Sequence, residues 1–207
     1  MEIGRKYRDF LRIEVNKKNR EKLKNSDFSI ISSNCVGGVI LHELSLRFDT
    51  PTINLFLYPK DYIKFVYNLK KYISCTDMVE DPEETIKCGY PVGILDDIHI
   101  YFVHYTDFTI AKEKWYERCA RIHWNNLYFV FTERDGCTLE EMRKFDALPS
   151  DKKVVFTVKP RPDIKCSFYI NGSEDACQQV RDLCQYRNQF TGMRWIDGFD
   201  YVSFLNK

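Results

Sequence analysis

Three short stretches hold the residue types that do chemistry. The first, Ser32-Ser33-Asn34-Cys35-Val36-Gly37-Gly38, joins a β-prone run beginning at Phe28 to a segment with helical spacing at Ile40, Leu41, Leu44 and Phe48. Cys35 then stands at or near a helix N-terminus, where the dipole favours a thiolate, and it is a candidate nucleophile. Ser33 and Asn34 are candidate substrate-binding residues because small polar groups bond exposed backbone amides. Gly37 and Gly38 join them because glycine lets a ligand or the sheet approach closely. The competing reading is a buried, inert thiol beside glycines needed only for helix–strand packing. The stretch is neither a dinucleotide fingerprint nor a phosphate loop, so it does not itself indicate nucleotide binding.

The second stretch runs from Asp96-Asp97 through His99 to His104-Tyr105. Alternate strand residues share a face, so His99 and His104 point apart and do not share a metal. His104 falls where a strand gives way to a helix and is a candidate base. Asp97 is a candidate orienter in a Cys35–His104–Asp97 arrangement. Asp96 and Asp97 are equally suited to a divalent cation or to a plain hairpin turn. The third stretch is Thr132-Glu133-Arg134-Asp135-Gly136-Cys137-Thr138. Arg134 can grip a phosphate or carboxylate bidentately, and Asp135 can serve as base or metal ligand. Asp135-Gly136 is also a turn signal, and Thr138 with Glu141 spells a capping box.

Strand-like and helix-like segments alternate around these stretches. Strands are predicted at Phe28–Ser32, Thr52–Leu57, Tyr90–Leu95, Ile98–Val103, Leu127–Phe131, Val154–Val158 and Cys166–Ile170. Helices are predicted at Val36–Phe48, from Asp61 as a cap, at Phe108–Ile122, Leu139–Phe145 and Gln178–Tyr186, with a last turn at Tyr201–Leu205. Leu127–Phe131 is so apolar that both of its faces must be covered. The pattern predicts a three-layer, Rossmann-like α/β fold on a mainly parallel sheet, with one antiparallel pairing near residue 96. In such sheets ligands gather outside the strand C-termini at a reversal of strand order, so the first strand-to-helix junction is the first place to look, and His104 and Arg134-Asp135 also fall at strand ends.

The chain has 207 residues with 31 Lys+Arg against 30 Asp+Glu, a net charge of +1, so no bulk charge draws it to nucleic acid. The charge is uneven. Residues 1–24 hold nine bases and four acids, a net of +5, leaving −4 on residues 25–207. That arm reads as a basic amphipathic helix preceding a single α/β domain. It packs Phe10 and Leu11 on the domain or makes a weak, salt-sensitive contact with an anionic membrane surface. The longest clean apolar run is five residues, far short of the about 20 that span a bilayer. Eight dispersed cysteines without a secretory signal point to reduced thiols and a cytoplasmic protein. No cofactor is expected, a divalent cation excepted.

The runs Ile30–Gly38, Tyr90–Asp97, Phe102–Tyr105 and Thr132–Thr138 together resemble a bacterial family with a domain of unknown function. Its members are often labelled exopolysaccharide biosynthesis proteins. Asp61–Phe65, Lys114-Trp115, Val154–Thr157 and Phe199–Val202 extend the resemblance over Phe28 to Asn206. Val36 departs from it, since the family pattern carries Trp after the cysteine. The resemblance implies a three-layer α/β fold and a role in exopolysaccharide or capsule assembly at the inner face of the cell membrane. The expected function is therefore a transferase acting on a glycan precursor or activated sugar donor, by acyl, glycosyl or phosphoglycosyl transfer. The alternative is a non-catalytic binding or scaffold protein of the same apparatus.

Overall fold

The computed structural model describes residues 2–188 and 190–207, residues 2 and 3 by their backbone only. The chain begins with helix α1 (Glu2–Lys22), strand β1 (Ser29–Ser32) and helix α2 (Val36–Glu43). Helices α3 (Pro59–Tyr67) and α4 (Leu69–Ser74), strand β2 (Val79–Glu80), helix α5 (Pro82–Cys88) and strands β3 (Val92–Leu95) and β4 (Ile98–Tyr101) follow. Helix α6 (Phe108–Cys119), strand β5 (Leu127–Thr132), helix α7 (Leu139–Asp146) and strands β6 (Lys153–Thr157) and β7 (Ser167–Tyr169) come next. A 3-10 turn (Trp195–Gly198) and helix α8 (Tyr201–Leu205) end it.

Strands β1, β5, β6 and β7 form one parallel sheet in that order. Alternation sends Ile31, Phe129, Phe131 and Val155 to one face, where Tyr62 and Phe65 of α3, Trp115 of α6 and Phe145 of α7 cover them. Ile30, Tyr128, Val130, Val154 and Phe156 face the other way, under Ile40 and Leu41 of α2, Val180, Leu183, and Tyr201 and Phe204 of α8. The apolar run at Leu127–Phe131 is explained by this double burial, and the fold is the expected three-layer α/β arrangement.

Four local expectations change. The antiparallel strands do not join the parallel sheet; β2, β3 and β4 make a separate sheet whose Leu95, Ile98 and Ile100 pack into the first core. Thr52–Leu57 is not a strand. Thr50 and Thr52 hydroxyls donate to the Ile30 carbonyl, and the Ser32 amide donates to Thr52 Oγ1, so side chains close the free edge of β1 in place of a backbone ladder. Asp61 does not cap α3, which starts at Pro59 after Tyr58; its carboxylate accepts the His99 amide instead. Gln178–Tyr186 is not helical, because Asp175 and Asp182 side chains take the amides of Cys177 and Cys184 at 2.8 and 2.9 Å. The Thr138–Glu141 capping box is present as predicted.

Helix α1 lies against the domain, held by a buried charge cluster. Arg12 Nε donates to Glu43 Oε1 at 3.0 Å, its guanidinium pairs with Asp197 at 2.5 Å, and Arg194 reaches the same Glu43 carboxylate at 2.5 Å. Of the two residues offered for packing on the domain, Leu11 is half-buried against the Gly192 loop while Phe10 is 59% exposed, and Arg12 is buried beside Leu11.

Candidate functional site

The strand order is monotonic, so no reversal creates a crevice. A cleft opens by another route. Neighbouring strands β1 and β5 send the chain to opposite faces, to α2 on one and α7 on the other, which leaves a crevice beyond their C-terminal ends. The resulting cleft has a volume of about 710 Å³. Asn34 and Cys35 enter it from the β1–α2 turn, Gly38 and His42 from α2, His104 from the segment after β4, and Arg134 and Asp135 from the end of β5. Asn54, Phe56, Asp182 and Cys184 complete the polar and aromatic wall.

Six of the sequence-predicted residues therefore meet: Asn34, Cys35, Gly38, His104, Arg134 and Asp135. Asp97, Ser33 and Gly37 do not line the cleft. Asp97 sits on the β3–β4 turn, where it accepts the Tyr72 hydroxyl at 2.6 Å and pairs with Lys64 at 3.0 Å. The Tyr72 hydroxyl, with Lys64 beside it, holds the Asp97 carboxyl below the usual carboxylate range. Asp96 has a left-handed φ of 56° and pairs with Lys71, which makes Asp96-Asp97 a hairpin turn. The Cys35–His104–Asp97 arrangement is not assembled. Ser33 is buried, its amide donating to the Val130 carbonyl at 3.0 Å. A Cβ on Gly37 would lie 2.8 Å from Ser32 Cβ and 2.9 Å from Ile30 Cγ2, so this glycine serves the packing of α2 on β1. Gly38 faces the cleft.

Asn34 ties the two strand ends together. Its Nδ2 donates to Thr132 Oγ1 at 3.2 Å and its Oδ1 accepts the Val36 amide. The first free amide of α2 is thus already taken, and the thiol beside it gains little from the dipole. Burial, with Asp182 adding to it, pushes the Cys35 thiol up to about 11 despite the nearby Arg134. Its Sγ–H faces the Leu55 carbonyl at 3.9 Å. The thiol is protonated at neutral pH, so iodoacetamide should label Cys35 very slowly at pH 7. The rate should climb about tenfold per pH unit towards pH 11, since only the thiolate reacts. Mass spectrometry of the Cys35 peptide over a pH series checks this, and fast labelling at pH 7 would contradict it.

Arg134 and Asp135 are fixed as a pair. Arg134 Nε contacts the Asp135 carboxylate at 3.1 Å, and its Nη1 donates to the Val180 carbonyl at 3.3 Å. The Asp135 amide donates to Gln179 Oε1 at 2.8 Å. Asp135 at φ 56° and Gly136 at φ 79° form the turn that aims them into the cleft. Among the described residues no three His, Cys, Asp or Glu side chains come together to hold a metal ion.

Sequence reasoning missed His42, Asn54, Asp182 and Cys184. His42 was legible: it lies seven positions after Cys35, two turns along the same face of α2. Asn54 enters through a left-handed φ of 60°. Asp182 and Cys184 come from the segment wrongly expected to be a helix, and nothing in their spacing pointed to the site.

Among the described residues no helix is long and apolar enough to cross a membrane. Comparison with known proteins extends the picture. A protein of Haemophilus influenzae, described as an uncharacterized protein, is 38% identical over 195 residues, which cover 94% of this chain and 92% of its own. A domain of unknown function, DUF1919, matches residues 6–206, most of α1 and every cleft residue included. Neither description names an activity. On both comparisons the chain belongs to the DUF1919 family.

Proposed function

We propose that the cleft transfers a sugar from a phosphate-bearing donor to a hydroxyl group of a glycan precursor, in exopolysaccharide or capsule assembly. The observation that carries this reading is the meeting of one guanidinium, two carboxylates and two exposed imidazoles beyond the C-terminal ends of β1 and β5. Arg134 supplies the positive charge for the donor phosphate. Asp182 accepts hydrogen bonds from sugar hydroxyls, and His104 takes the acceptor proton. The acceptor oxygen forms the new bond at the anomeric carbon, the bond to the phosphate oxygen breaks, and the phosphate leaves with the bonding pair. Acyl transfer through Cys35 is the weaker version, because burial keeps that thiol protonated and Asp97 is not there to orient His104.

The test is a panel of nucleotide-activated sugars screened by ligand-observed NMR on the full chain, followed by mass spectrometry of mixtures with oligosaccharide acceptors. At least one donor should bind, and Arg134→Ala should weaken it roughly tenfold to hundredfold, the worth of a charge-assisted hydrogen bond. Donor binding without transfer to any acceptor would favour the non-catalytic binding role. Absence of binding across the panel would refute the reading.

A further inference from the structure

Helix α1 is amphipathic with its usual faces exchanged. Its inner face buries Arg12, whose side chain is 5% exposed, while Tyr7, Phe10 and Ile13 are 55%, 59% and 60% exposed. Positions 7, 10 and 13 share an arc of about 120° on the helix surface, so the three form one outward ridge. Phe190, also exposed, emerges from the loop whose Gly192 packs against the backbone of α1 at Arg8 and Arg12. Scattered exposed apolar residues need no explanation, but an aligned ridge marks an interaction surface.

The ridge sits on a rigid mount. Besides the Arg12–Glu43–Asp197 cluster, Asn19 Nδ2 donates to the Tyr201 hydroxyl at 2.7 Å, and the Lys24 amide donates to Asn206 at 2.7 Å. Arg5, Lys17, Lys18 and Lys22 are exposed along the same helix. Glu14 and Glu21 are exposed on the arc of the ridge together with Lys17, and Lys18 and Lys22 flank it. Asp9 is already paired with Arg8 at 3.0 Å, so the segment as a whole keeps its net positive charge. A two-fold contact between copies would set two such basic helices against each other, which charge disfavours. An anionic bilayer complements both features, taking aromatic side chains at the headgroup level and lysines against its phosphates.

We propose that the outward face of α1, through Tyr7, Phe10 and Ile13, docks the protein on an anionic phospholipid surface. The docking is peripheral and reversible, and it is independent of the chemistry of the cleft. The experiment is co-sedimentation of the full chain with vesicles of equimolar phosphatidylglycerol and phosphatidylcholine, beside vesicles of phosphatidylcholine alone. The chain should sediment with the first and not the second, and about 1 M salt should release it, because the screening length then falls to about 3 Å. A Tyr7→Ser, Phe10→Ser, Ile13→Ser variant should bind at least about tenfold more weakly. It should keep the wild-type circular dichroism spectrum and melting curve, since these side chains face outward. Lys17→Glu with Lys18→Glu should also lose vesicle binding, through charge alone. Equal binding by the triple variant, or no binding by the wild type, would overturn the proposal. So would a concentration-dependent dimer in sedimentation velocity that only the triple variant abolishes, which would assign the ridge to a second copy of the chain.

Discussion

Replacing Glu43 with alanine is expected to lower the unfolding free energy by about 3–5 kcal/mol, the usual cost of breaking a buried ion cluster by removing one partner. The Glu43 side chain is 3% exposed and takes both guanidinium groups of its surroundings. Without it, the buried Arg12 keeps Asp197 and the Gly192 carbonyl, while the half-buried Arg194 keeps the Cys184 carbonyl and loses its carboxylate partner. Desolvation that the pairing now offsets would then stand uncompensated. Urea denaturation followed by circular dichroism measures the loss, and a change below about 1 kcal/mol would show that water already screens the cluster. Combining Glu43→Ala with Arg12→Ala should cost less than the sum of the two, because the second change removes one of the stranded charges. The effect should reach the cleft as well. Glu43 ends the helix that Cys35 precedes as N-cap and that carries His42, and Arg194 holds the carbonyl of Cys184, which also lines the cleft.

That cluster also shows where sequence reading stops. The parallel sheet was legible because a five-residue apolar run admits only a strand covered on both sides, and the strand-to-helix junctions followed from it. Those junctions bring Asn34, Cys35, Arg134 and Asp135 to one end of the sheet, since any helix-bearing parallel sheet puts such turns there. Arg12 was not legible. In a helix with eight bases, nothing local distinguishes the one arginine that finds the Glu43 carboxylate, 31 residues on, and Asp197, near the other end of the chain. The same holds for Asp182, whose place on the cleft wall depends on Asp175 and Asp182 side chains outcompeting helical backbone bonds. Those bonds are what overturns the expected helix over Gln178–Tyr186. Asp97 failed for a different reason: Asp-Asp between two short strands is a turn signal as strong as any catalytic one, and the turn won.

The largest functional effect is expected at His104. On the proposed transfer, His104→Gln should reduce turnover by about 10²–10⁴-fold while leaving donor affinity near the wild-type value, because a general base acts on the acceptor proton and not on the donor phosphate. The side chain is exposed at the cleft and carried on a tight turn, with the Val103 amide bonded to the Tyr101 carbonyl and the Tyr105 amide to the Phe102 carbonyl. Glutamine keeps a polar side chain there but cannot accept and release a proton. Two comparisons give the result its meaning. Cys35→Ser should change turnover little, because a thiol held protonated by burial supplies no nucleophile. Asp97→Asn should leave turnover unchanged, because that carboxylate belongs to the β3–β4 turn and its partners are Tyr72 and Lys64. If Cys35→Ser abolishes turnover and His104→Gln does not, the chemistry is thiol-dependent and the base assignment fails. If His42→Gln carries the loss in place of His104→Gln, the base sits on α2, on the other wall of the same cleft.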